Sequence, residues 1–280
     1  MRLTFGGVRG TRPVTGRAVE RFGGDTTALL VEGRAGERIL IDAGTGLQHL
    51  AAKVAGAPKP VLMLLTHYHL DHVLGLATSP LLYRRNLRLT LASPRRGGLT
   101  PRAALEHLLG PPLWPVAARH MPAQLTYRAL AATPPSGGLR YGGLTVRWCA
   151  VQHPDGCHAY RIDEPATGAA LVFATDIEWG VATAAARSDF LALCRQPQPA
   201  AVLVMDGQYD RRTAAATRGW GHSTWQDAVD VAAEAGIRRL LVTHHPPGAR
   251  DAELARREQR LKQRAPGARL ARQGMRVGIQ

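Results

Sequence analysis

The densest concentration of chemically able side chains is Thr66-His67-Tyr68-His69-Leu70-Asp71-His72, where three imidazoles and one carboxylate fall within six residues. Imidazole and carboxylate together ligate zinc, and also manganese or iron. On a turn from a strand into a helix, His67 and His69 can point one way while Asp71 and His72 swing to the other side. That geometry serves two adjacent metals. A two-metal site needs further ligands, and three residues stand where they should: His153, Asp176 and His244. Each follows an apolar run, and a histidine or aspartate in that place gains meaning from arriving in order after the first motif.

The elements that must position these groups are legible as short apolar runs ending in polar clusters. Residues 61–66 lead into the histidine motif, 145–152 into His153, 169–175 into Asp176, 201–205 into Asp206 and 239–243 into His244. Earlier strands are expected at 3–5, 27–32 and 38–42, and a closing strand at 275–279. Continuous apolar runs of this length suit strands buried on both faces. Helices are expected at 46–55, at 223–235 with Ser223 or Thr224 as N-cap, and at 251–264. Open sheets gather their sites at the carboxyl ends of strands, which is where the histidines and aspartates recur. The stretch 94–138 is rich in proline and glycine, including Leu109-Gly-Pro-Pro-Leu-Trp-Pro115, and reads as an insertion, lid or dimer contact on a single domain spanning 1–280.

The series His67-x-His69-x-Asp71-His72, His153, Asp176, His244 resembles the metallo-β-lactamase superfamily, over nearly the whole chain. Leu40-Ile-Asp42-Ala-Gly44 is similar to the family's early aspartate-bearing turn. The resemblance implies an α/β fold, an αββα sandwich of two mixed sheets flanked by helices. It implies that His67, His69 and His153 hold one metal and that Asp71, His72 and His244 hold the other. Asp176 would bridge the two, and Asp42 would orient a ligand by hydrogen bonding. Lactamases of the group usually carry cysteine where Asp176 stands, which argues against β-lactam hydrolysis.

Arg218-Gly-Trp-Gly-His222-Ser-Thr-Trp225 supplies a histidine surplus to that ligand set. It resembles the extra histidine of the phosphodiesterase branch, which includes ribonuclease Z and the accessory phosphodiesterase of phosphonate breakdown. Gly7-Val-Arg-Gly10-Thr11 resembles that branch's Gly-Ser-Arg-Gly-Ser opening, with Val8 and Thr11 in place of the serines. The implied activity is hydrolysis of a small or cyclic phosphodiester by a metal-bridging hydroxide, with Asp71 in the reacting centre and His222 as general acid. Arg161 is a candidate for holding substrate charge, and Gly207-Gln-Tyr209-Asp210 for lining the pocket. The alternatives are an RNA endonuclease like ribonuclease Z and a thioester or lactone hydrolase on the same fold. His49, His107 and His120 carry no partners in the pattern, and His158 and His245 read as packing groups beside ligands.

Composition bounds these readings without choosing among them. The 280 residues carry 45% hydrophobic side chains, enough for a sizeable core. The formal charge is +15, and nine Lys and Arg stand against three acids in 249–280. Such a balance attracts phosphorylated molecules or RNA, although an arginine- and alanine-heavy chain with only Lys53, Lys59 and Lys262 also reflects GC-rich coding. Three cysteines make no disulfide framework. The N-terminal residues lack an apolar leader run and no segment is long enough to span a bilayer, so a cytoplasmic location is expected.

Overall fold

A computed structural model describes residues 1–57 and 59–280. Its strands are β1 (Arg2–Gly7), β2 (Ala28–Glu32), β3 (Arg38–Ile41), β4 (Val61–Leu64), β5 (Arg88–Pro94), β6 (Gln124–Leu130) and β7 (Leu139–Tyr141). They continue with β8 (Leu144–Val151), β9 (Cys157–Glu164), β10 (Ala169–Ala174), β11 (Val202–Asp206), β12 (Leu240–Thr243), β13 (Ala268–Leu270) and β14 (Arg276–Gly278). The helices are α1 (Leu47–Ala55), α2 (Leu70–Val73), α3 (Gly75–Thr78), α4 (Pro101–Leu108), α5 (Ala184–Arg195), α6 (Trp225–Glu234) and α7 (Asp251–Arg264).

Two seven-stranded sheets form, ordered β14-β1-β2-β3-β4-β5-β6 and β13-β12-β11-β10-β9-β8-β7. Each is half antiparallel and half parallel. In the first sheet the parallel part begins at β3–β4, and in the second at β10–β11. The α/β sandwich implied by the family resemblance is therefore present: two mixed sheets, face to face, with helices outside.

Side-chain alternation explains why the strands are apolar throughout. In β10, Leu171 and Phe173 enter the layer between the sheets, while Ala170, Val172 and Ala174 enter the layer beneath α5, α6 and α7. In β4, Leu62 and Leu64 face the other sheet, and Val61 and Met63 face the layer that holds α1. Three apolar layers result, so a strand in the middle of either sheet has no wet face.

Some elements carry no such apolar run. Strand β9 reads Cys-His-Ala-Tyr-Arg-Ile-Asp-Glu, yet every residue in it is buried. Its polar groups are absorbed locally. Arg161 is fully buried and donates to Asp163 Oδ1 and to the carbonyls of Leu193, Cys194 and Gln198 at 2.9–3.0 Å. It fastens β9 to the end of α5 and does not hold substrate charge, because all these partners lie away from the histidine cluster. The stretch 94–138 contains α4 and β6, and β6 pairs in parallel with β5 as the edge of the first sheet. No helix among the described residues is long and apolar enough to cross a membrane.

Candidate metal centre and active site

The histidines and aspartates converge because the strands that precede them all end at one rim of the sandwich. Asp42 follows β3, the histidine motif follows β4, Asp176 follows β10 and His244 follows β12, while Asp206 closes β11. His153 follows β8, which runs the same way as β10 because both are antiparallel to β9. Asp42, Asp176 and His244 each adopt a positive φ, between 55° and 61°. Non-glycine residues seldom take that conformation, and its presence at three strand ends around one cluster shows that the surrounding fold enforces the turns.

Asp176 lies at the centre and is nearly inaccessible. Its Oδ1 is 3.8 Å from His67 Nε2 and 3.7 Å from His153 Nε2. Its Oδ2 is 3.1 Å from His72 Nε2 and 3.2 Å from His244 Nε2. Asp71 Oδ2 joins the second set, 3.3 Å from both His72 Nε2 and His244 Nε2. His69 Nδ1 joins the first, 3.2 Å from His153 Nε2. The structure thus brings all seven sequence-derived candidates together: His67, His69 and His153 form one group, Asp71, His72 and His244 another, and Asp176 lies against both, with overlapping triads that also draw in His222 and Asp206.

The outer nitrogen of each ring fixes which atom faces inward. His72 Nδ1 donates to Asp42 Oδ2 at 2.8 Å, His244 Nδ1 to Gln208 Oε1 at 2.7 Å and His153 Nδ1 to the Gly221 carbonyl at 2.9 Å. His67 Nδ1 meets Thr66 Oγ1 at 3.0 Å, and Thr66 Oγ1 in turn donates to Asp42. The inward Nε2 atoms of His67, His72 and His244 are buried without a hydrogen-bond partner. Buried polar atoms left in this state are rare, and three of them around two carboxylates make a donor set for divalent cations. Electrostatics agree. Burial opposes charge on His72, but Asp176, Asp71 and Asp42 outweigh it and push its pKa well above the usual range, so these carboxylates favour a positive charge at this point, which a bound cation would supply with the ring neutral. Burial likewise opposes charge on Asp176, and His244 and His72 reverse that, keeping the carboxylate ionised. The site demands positive charge.

His222 borders both groups. Its ring stacks on His244 with centroids 4.8 Å apart and lies edge-on to His153 at 5.5 Å. Its Nδ1 donates to Asp206 Oδ2 at 2.8 Å. Burial disfavours the imidazolium, but the neighbouring Asp206 carboxylate carries it up to about 9. Tyr209 is edge-on to His222 at 5.8 Å, so it borders the site, whereas Asp210 turns away to Trp225 Nε1 and Arg260.

The N-terminal loop reaches the same centre. The Thr11 amide donates to Asp71 Oδ2 at 2.7 Å. Gly10 abuts His244 so closely that a Cβ would stand 2.3 Å from its Nδ1. Arg9 is fully buried and donates to the carbonyls of Gly23, Pro246 and Ala249. His245 packs edge-on to Phe22 and donates to the Ala271 carbonyl, and His158 meets the Arg96 guanidinium. His49 bonds Asp25 and Gln273, and His107 bonds the Ala103 carbonyl. His120 lies with them, outside both groups.

Several working residues gave little sign of their parts in the sequence. Asp206, Gln208 and Thr66 orient the imidazoles. Glu178 takes the amides of Gly219 and Gly221 on its two oxygens at 2.7 Å each, holding the loop that carries His222. Ser223 donates to the Ile177 carbonyl and accepts from the Trp179 amide, doubling that clamp. Only the position of Glu178 two residues beyond a ligand hints at its part.

A family model described as beta-lactamase superfamily domain matches residues 37–245. The chain is 27% identical to ribonuclease BN of Cronobacter sakazakii over 288 aligned positions, 87% of this chain and 88% of that one. It is 44% identical to ribonuclease Z of Pyrobaculum arsenaticum over 63 residues, a match that spans 22% of either chain. Among solved structures, a diphosphatase from the PhnP family superposes with a TM-score of 0.69 at 18% identity, covering 100% of this chain and 98% of that one. Human tRNase Z, short form, gives 0.69 at 19% identity and covers both chains completely. These two likenesses establish the fold. With the family match over most of its length, the chain belongs to the metallo-β-lactamase superfamily of hydrolases.

Proposed function

We propose that this protein is a binuclear metal-dependent phosphodiesterase acting on a small or cyclic phosphodiester. The observation that supports the reading is Asp176, whose two oxygens face two adjoining imidazole groups, with His222 stacked at the border. His67, His69 and His153 would hold one cation, Asp71, His72 and His244 the other, and Asp176 both. The nitrogen and oxygen donors suit zinc, with manganese or iron as alternatives. Divalent cations bound there supply a water activated near neutral pH and charge neutralisation for the phosphate.

The chain's own residues supply orientation and protons. Asp42, Gln208 and the Gly221 carbonyl hold the rings in one tautomer. Asp206 holds Nδ1 of His222, which leaves Nε2 to carry a proton to the departing alkoxide. Such a donor is worth roughly 10²–10⁴-fold. The test is hydrolysis of bis(p-nitrophenyl) phosphate with added Zn²⁺ or Mn²⁺, beside a thioester, a lactone and nitrocefin. Phosphodiester turnover should dominate, and His222→Ala should keep its metal and lose turnover of dialkyl phosphodiesters, whose alkoxide needs a proton, far more than of bis(p-nitrophenyl) phosphate. Activity on acyl substrates alone would sink the reading. RNA is the second reading, favoured by the ribonuclease BN likeness across 87% of the chain and by the basic α7 region.

A further inference from the structure

Four large hydrophobic side chains stand exposed among the described residues: Leu70, Tyr83, Leu113 and Trp220. Tyr83 is engaged through its hydroxyl by Trp114 Nε1. Leu70 and Leu113, 64% and 74% exposed, line the same cavity. That cavity measures about 240 Å³ and is walled also by Tyr68, Leu91, Leu105 and Leu108. Leu91 and Leu105 are buried and form its depth. No charged side chain lines it, and the imidazole at its wall, His107, has its Nδ1 turned to the Ala103 carbonyl.

Two of its walls come from the metal-binding motif. Tyr68 lies between His67 and His69, and Leu70 between His69 and Asp71. An occupant would therefore lie against the loop that carries four of the candidate ligands. The remaining wall is α4 and the loop that follows it, which belong to the stretch between β5 and β6. An apolar cavity is a poor host for a polyanion, whose affinity comes from lysine and arginine contacts. Its volume exceeds the roughly 150 Å³ that accommodates benzene in an engineered apolar cavity, so a phenyl ring or short alkyl chain fits.

We propose that this cavity is a subsite for one apolar ester substituent, so that the substrate is a phosphodiester carrying a short alkyl or aryl group. The proposal rests on the phosphodiesterase reading above. The test uses the metal-loaded full chain and a series of alkyl p-nitrophenyl phosphates from methyl to hexyl, with the phenyl ester, so that the leaving group is constant. In the wild type, kcat/KM should rise roughly two- to fourfold per added methylene until the cavity fills. Ala104→Phe, at a wall position in α4, should flatten the series. Leu113→Ser, on an exposed loop, should lower the slope and guards against a misfolded Ala104 variant.

A flat wild-type series with good methyl ester turnover would overturn the subsite and leave the phosphodiesterase reading standing. A rising series that neither variant changes would also overturn it, since the substituent would then lie elsewhere. No turnover of any ester would remove the phosphodiesterase reading and the subsite with it.

Discussion

At the scale of single residues, four of the candidate ligand rings, His67, His72, His153 and His244, pair an inward-facing nitrogen with an outer nitrogen tied to a fixed partner. Asp42 is the busiest acceptor. It is fully buried and takes the Thr66 amide at 2.8 Å, the Thr66 hydroxyl and His72 Nδ1. Asp42→Ala should lower metal affinity by about 10–100-fold, the usual cost of losing a ligand's outer partner. Competition with a metal-sensitive dye checks this, and unchanged affinity would show that His72 is held without it. The seven ligand candidates were legible because ligands must be histidine or aspartate, and these fell one after another at strand ends. Asp206 stood out at a strand end and Gln208 among the pocket-lining candidates, but their part in orienting His222 and His244, like that of Glu178, was not legible, because each acts through a hydrogen bond to a residue distant in the chain. Arg161 shows the converse. Its charge suggested substrate, but three backbone carbonyls and Asp163 consume its donors.

At the scale of elements, the strands with apolar runs announced themselves, as did the closing edge strand β14, whereas β9 and β6 did not. Strands β4, β10 and β12 are apolar on both faces because both faces are covered. Helix α7 spans the expected 251–264, and α6 is capped by Thr224, whose hydroxyl accepts from the Asp227 amide at 3.1 Å. Strand β9 hid behind its polar residues, whose partners are tertiary, and β6 alternates with much of its length exposed. Outside the candidate ligands, the loop 218–223, held by Glu178, is closely constrained. Gly221 has φ 87°, and a Cβ there would meet His153 Nδ1 at 2.1 Å. Glu178→Gln replaces one acceptor oxygen with an amide donor facing an N–H. It should reduce kcat about tenfold or more by displacing His222, and weaken metal binding as well, since the Gly221 carbonyl holds His153 Nδ1. A variant with full activity would show that Ser223 alone holds the loop.

At the scale of the whole molecule, three apolar layers make the rim rigid enough to hold three strand ends in left-handed backbone. Phe173 lies in the layer between the sheets, three residues before Asp176, with no exposed surface. Phe173→Ala should cost about 3–5 kcal/mol, read as a lower denaturant midpoint. The loss should be global, since the same strand carries the central carboxylate. The sandwich was foreseeable from the succession of apolar runs and the family resemblance. The pairing of the two half-parallel sheets was not, because register and sheet membership are set by contacts between distant strands.

The most direct test of the proposed binuclear centre is to strip the protein with chelator, return Zn²⁺ or Mn²⁺ stepwise, and follow bis(p-nitrophenyl) phosphate turnover against bound metal. Activity should be absent from the stripped protein and should saturate at about two equivalents per chain. Saturation at one equivalent, or turnover that persists without metal, would contradict the two-group reading of Asp176.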